Sequence, residues 1–216
     1  MESLDSLLRE AEIAHGHLCA GQVLGVRMAM LGCRMLGIED PRGLVHRSDR
    51  KRLVTFVEID RCATDAIAVV TGCRLGKRAL KFRDWGKMAA SFLDLGRPAD
   101  PALGLDAIAG GRAVRIAALE SSKDRARELY PLIEGKNAQQ MLAYRELPDE
   151  ELFSTQWVSI PLHAREMPGY KSARIACEVC GEGINYDREV VRDEAGMRRT
   201  LCQSCAFPES RYFQPL

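Results

Sequence analysis

The spacing of apolar and polar positions predicts most of the elements. Leu4 to Ala14 carries apolar residues at helical intervals and predicts a short helix. Gln22 to Leu36 is apolar on most sides and rich in methionine, the pattern of a longer, buried helix. Leu53 to Ile59 is β-branched and half alternating, which predicts a strand, and Ala63 to Val70 predicts the helix after it. Lys87 to Leu95 and Ala113 to Leu119 predict further strands. Ser121 to Tyr130 and Ala138 to Glu146 predict helices, and Gln156 to Ile160 a last strand. Helices interleaved with strands imply an α/β or α+β domain whose helices cover a mixed sheet. The stretch Pro161 to Tyr170 holds two prolines and a glycine and predicts a linker. The expected organisation is a large domain over residues 1–160, a linker over 161–172 and a small domain over 173–216, without internal repeats.

Composition narrows the classes. A chain of 216 residues with 46% apolar and 28% charged positions can bury a proper core, which excludes wholesale disorder. Lys and Arg number 31 against 30 Asp and Glu, so the net charge is +1 and the basic excess of a nucleic-acid binder is missing. No run of apolar residues is long enough for a transmembrane helix. Met1 to Asp5 lacks the features of a signal peptide, so a cytoplasmic location is expected. There, thiols stay reduced, and clustered cysteines point to metal binding or catalysis rather than to disulfides.

The eight cysteines form two groups. In the last fifth of the chain, Cys177-x-x-Cys180 and Cys202-x-x-Cys205 are separated by 21 residues. Each pair makes a tight turn that aims two sulfurs at one point, and two such turns can enclose a tetrahedral Zn²⁺. Four thiolates leave no open position, so the expected role is structural, in a zinc ribbon or finger that metal binding folds. An iron–sulfur cluster or a redox dithiol is the alternative. Glu189 to Arg192 and Arg198 to Leu201 could be hairpin arms within it. Seven basic residues balance seven acidic ones over 171–211, favouring a protein contact or a lid over a DNA grip.

In the first third, His15-Gly16-His17-Leu18-Cys19 sits between the first two helices. On an extended backbone, residues 15, 17 and 19 would point to one side. Cys19 precedes a helix N-terminus, where amides and the helix dipole favour a thiolate. Cys62, in Arg61-Cys62-Ala63-Thr64-Asp65, follows a strand and opens a helix, a usual place for sites in α/β sheets. His17, Cys19 and Cys62 would give mixed ligation with a position left open, suited to Zn²⁺ or to Ni²⁺ or Fe²⁺. His15 is then a fourth ligand or an acid/base group beside the metal, and His15 and Asp65 are the candidates for proton transfer. The bland alternative is a surface loop with two histidines and a core thiol. Cys33 and Cys73 read as small core residues. Gly72 to Lys77 lacks the spacing of a phosphate loop.

Three blocks resemble one known family, the FmdE proteins of formylmethanofuran dehydrogenase. They are His15 to Gly21 with Leu24 to Ala29, Cys62 to Ala66 with Val70 to Lys77, and Asp84 to Ala89. Ala20 departs from the family's usual proline. The C-terminal unit resembles the TraR/DksA-like zinc finger that some members append. The resemblance implies an α+β, thioredoxin-like core, often dimeric, and a metal site built from the His-x-Cys segment and the later cysteine. It implies an association with molybdenum or tungsten formylmethanofuran dehydrogenase. Two functions are expected from this reading: a metal-binding accessory protein of anaerobic metabolism, with such an enzyme as its partner, or a metal-dependent or thiol-dependent enzyme using the same site.

Overall fold

Ser3 starts the first helix, α1 (Leu4–His15), by accepting a hydrogen bond from the Ser6 amide at 3.3 Å, and Gly16 ends it in the left-handed region at φ 95°. The computed structural model describes residues 1–43, 52–96, 111–194 and 196–214. They divide into two compact units, Met1–Leu162 and His163–Leu216.

In the first unit, α2 (Ala20–Leu36) is the buried helix that its composition predicts, with Val23, Val26, Met28, Cys33 and Leu36 all inaccessible to solvent. It lies across strands β3 (Ala89–Asp94) and β4 (Arg112–Ala118) and packs against α3 (Cys62–Thr71). Two glycines make this possible. A Cβ on Gly32 would stand 2.4 Å from the Phe92 ring, and one on Gly25 would stand 2.5 Å from the Ala63 carbonyl oxygen.

Strand β1 (Leu53–Val57) connects through α3 to β2 (Leu80–Phe82), its parallel neighbour. The other pairs are antiparallel, giving the order β2-β1-β3-β4-β5 and a mixed sheet. Strand β5 (Phe153–Val158) begins three residues before the predicted Gln156, because pairing with β4 carries buried Phe153 opposite Ala118. The pattern also missed β2, which is only three residues long. Helices α4 (Ser121–Leu129), α5 (Lys136–Glu146) and the short α6 (Asp149–Leu152) lie between β4 and β5 in sequence. Arg27 of α2 holds the end of α5, donating to the carbonyls of Tyr144 and Leu147, each at 2.8 Å, and to Asp149 at 2.9 Å. Those carbonyls have no partner within their own helix, so one guanidinium fixes α5 to α2. Among the described residues no helix is long and apolar enough to cross a membrane.

Cys33 and Cys73 belong to the core of this unit. Burial, with Cys73 nearby, pushes the Cys33 thiol from 9.0 up to about 12. Burial also raises Cys73, against hydrogen bonds from Thr55 and Thr71. A folded pKa above the unfolded one means that the unfolded chain ionises first, so the stability contributed below pH 9.0 declines as pH rises toward 12. The expected result with iodoacetamide at neutral pH is no label on either thiol until the protein unfolds. Mass spectrometry showing rapid native labelling would contradict their assignment as core residues.

The second unit contains the two-residue pair β6 (Ile175–Ala176) and β7 (Gly183–Ile184), the hairpin β8 (Val190–Glu194) and β9 (Met197–Leu201), and a single turn of helix, α7 (Gln203–Ala206). Its buried hydrophobic cluster is small: Cys177, Ile184, Leu201 and Ala206.

Candidate metal centre

The segment between α1 and α2 gathers His15, His17 and Cys19, whose ligand atoms all lie within 4.8 Å of one another. The backbone reason is not the extended strand expected from alternation. His15 is the last residue of α1, Gly16 turns the chain left-handed, and Cys19 is the extended residue that opens α2, at φ −141°. A Cβ at position 16 would meet no atom within 4 Å, but the φ of 95° favours glycine. The rings of His15 and His17 come to 4.9 Å between centroids.

Cys19 makes no side-chain cap for α2. Asn137 of α5 does that instead, its Oδ1 accepting from the Ala20 amide at 3.1 Å. The sulfur is left available for another role. Cys62, the first residue of α3, is not a member of the 4.8 Å set, but its thiol meets the Cys19 sulfur. Gly21 stands between them, since a Cβ there would lie 3.4 Å from the Cys62 Cβ and 3.7 Å from the Cys19 Sγ. The helix N-terminus does not prevail at Cys62. Desolvation, followed by the Cys19 thiol and its charge, raises the Cys62 pKa above the ordinary value, against the pull of backbone N–H and of Arg61.

Asp65 accepts a hydrogen bond from His15 Nδ1 at 2.8 Å. An ionised carboxylate has no proton to give, so Nδ1 carries it and Nε2 keeps its lone pair. The two residues singled out for proton transfer are thus joined to each other. A carboxylate behind a histidine is the arrangement that fixes a ligand's tautomer and ring orientation. Two imidazoles and one or two sulfurs suit Zn²⁺ and other borderline metals.

The site opens on a cavity of about 340 Å³. His17, Cys19, Gly21 and Cys62 form one wall. Sequence reasoning missed the others: Met88 and Leu119, and Ser122, Asn137, Gln140 and Tyr144 of α4 and α5. No local pattern marks them, because they arrive from more than sixty residues away through the sheet and through Arg27.

In the second unit, Cys177, Cys180, Cys202 and Cys205 also lie within 4.8 Å of one another. A tetrahedral four-thiolate zinc site needs sulfurs about 3.8 Å apart, and Cys180 and Cys202 stand at 3.9 Å. Gly181, at φ 75°, bends the first turn, and its amide donates to the Cys177 carbonyl at 2.9 Å. The amides of Cys180 and Cys202 draw the Cys177 pKa down to about 6. At Cys180 the Glu182 amide pulls downward, but desolvation and the other three sulfurs push it up to about 12. Four adjacent thiols cannot all ionise unless a cation joins them, so this donor set fits a bound metal ion.

Comparison with known proteins bears on both units. The family model described as "FmdE, Molybdenum formylmethanofuran dehydrogenase operon" matches residues 14–154, which include the N-terminal cluster and exclude the four C-terminal cysteines. A protein of Archaeoglobus fulgidus described as a probable S-adenosyl-L-methionine-binding protein is 32% identical over 217 residues. That alignment covers 94% of this chain and 53% of the relative, so the chain spans about half of the relative's length. The crystal structure of an FmdE-like protein of tungsten formylmethanofuran dehydrogenase, from Syntrophus aciditrophicus, shares the fold, with a TM-score of 0.57 at 18% identity over 98% of this chain and 96% of that one.

Proposed function

The chain belongs to the FmdE family, and from that premise we propose that it is a metal-binding accessory protein whose first unit carries an exchangeable transition metal and whose second is folded around a structural one. The observation that carries this is the convergence of His15, His17 and Cys19 at the edge of a cavity, with Cys62 against Cys19. A mixed nitrogen and sulfur set facing open space suits an ion that must be delivered or must accept an outside ligand. Zn²⁺, Ni²⁺ or Fe²⁺ would be held there, and Zn²⁺ by the C-terminal cysteines in a TraR/DksA-like finger. A homodimer working beside a molybdenum or tungsten enzyme of anaerobic metabolism is the setting we propose. The cavity also supports a second reading, a metal-dependent or thiol-dependent enzyme with His15 or Asp65 moving protons.

Metal analysis of protein purified without oxygen is expected to give two ions per chain. The double variant Cys19→Ala, Cys62→Ala should keep one and stay folded; retention of two sinks the proposal. Asp65→Ala should weaken the N-terminal metal by about 10–100-fold, as loss of the carboxylate behind a ligand histidine does. Competition with a chromophoric chelator measures this, and an unchanged affinity would remove Asp65 from the site.

A further inference from the structure

We infer that the cavity beside His17, Cys19 and Cys62 binds a small organic carboxylate, paired with Arg61 and hydrogen-bonded by the side-chain amides on its opposite wall. The inference deepens the metal-binding reading and rests on it for which wall carries the ion.

Size comes first. About 340 Å³ is at the small end of ligand cavities and admits a compact organic molecule. The lining is divided by chemistry. Leu24, Met88, Ala118 and Leu119 make an apolar side that suits a short hydrocarbon body, while Asn137 and Gln140 offer amides. Charge then sets the class. Three charged side chains line the space: Arg61, Lys123 and Glu120. Lys123 is already paired with Glu120 at 2.5 Å. Arg61 has no ion-pair partner among the described residues, so one positive charge is left over. A planar guanidinium matches a carboxylate.

The backbone acts in the same direction. Ala20, Cys62, Ser122 and Asn137 line the cavity, and each lies in the first two residues of a helix, α2, α3, α4 and α5 respectively. None of the four helices has a side-chain cap from its own N-cap residue. Four positive helix ends therefore surround one space. Glu120 and the two thiols on the walls oppose a second negative charge, which favours a monocarboxylate over a phosphate.

The test is an NMR titration of the ¹⁵N-labelled full chain, metal-free and metal-loaded, with butyrate, with neutral butyramide and with inorganic phosphate. Butyrate is expected to give saturable shifts at Gly21, Cys62, Asn137 and Gln140 in both forms, and butyramide and phosphate weaker ones. Arg61→Gln should weaken butyrate by about tenfold or more, and Arg61→Lys should restore part of that loss. The remaining signals of each variant report its fold. The inference is overturned if no saturable shift occurs, if butyramide equals butyrate, if phosphate binds more tightly, or if Arg61→Gln changes nothing. Butyrate binding that depends on Arg61 in a protein that takes up no metal would sink the metal-binding reading alone. Metal uptake without butyrate binding would sink this inference alone.

Discussion

Replacing Cys202 with serine is expected to unfold His163–Leu216 and leave Met1–Leu162 folded. The buried cluster of the second unit is Cys177, Ile184, Leu201 and Ala206, of which only Ile184 and Leu201 are large. Each contributes about 1.5–3 kcal/mol when fully buried, whereas fixing one backbone residue costs roughly 1–2 kcal/mol. The strands add little, since β6 and β7 pair over two residues. A structural Zn²⁺ contributes about 10–16 kcal/mol to folding in finger peptides, so the metal outweighs every other contribution here. Cys202 matters twice, because it also begins α7 and its amide donates to the Cys177 sulfur at 3.3 Å. A strong chelator should have the same effect. Amide NMR would show collapsed signals for the second unit and unchanged ones for the first. A dispersed spectrum for both units in the metal-free variant would show that the cysteines are not what holds the small unit together.

Gly25→Ala is expected to lower the stability of the first unit and to separate Cys62 from Cys19. Two effects compete. Alanine is a better helix former than glycine by about 1 kcal/mol. Against this, its Cβ would lie 2.5 Å from the Ala63 carbonyl oxygen and 2.7 Å from the Ala63 Cα. Both are backbone atoms that no rotamer change can move, and overpacking of this kind costs about 1–3 kcal/mol or more. The clash therefore prevails. Ala63 follows Cys62, so when α3 retreats from α2 the thiol moves with it. A fall in melting temperature of about 2–4 °C per kcal/mol is expected in a unit of this size, together with weaker metal binding. Gly76→Ala is the control, since a Cβ there meets nothing within 4 Å. A Gly25→Ala protein as stable as the parent, with the same metal affinity, would show that the α2–α3 approach is not what sets the site.

The consequences of Gly25 and Arg27 mark how far the sequence could be read. Both fall within a block that resembles the family, yet neither role is local. Gly25 acts through Ala63 and Arg27 through the end of α5, each known only once the helices are packed. The helices themselves were legible, because period and end signals are short-range: α1 and α2 end at Gly16 and Gly37, as left-handed caps require. Strand limits were less so, because pairing sets them, as β5 shows.

Metal chemistry followed the same division. The sequence alone determined the two Cys-x-x-Cys turns and the closeness of His15, His17 and Cys19, because ligands a few residues apart are brought together by the local backbone whatever the rest of the chain does. It even allowed the right grouping for a wrong reason, since a helix end and a left-handed glycine, not an extended strand, turn the two histidines toward Cys19. Only the tertiary structure decided that Cys62 faces Cys19, that Asp65 stands behind His15, and that α4 and α5 enclose a cavity in front of them. Those relations depend on how two helices cross and where a sheet ends, and the residues that determine them touch across dozens of positions with no repeating signal along the chain.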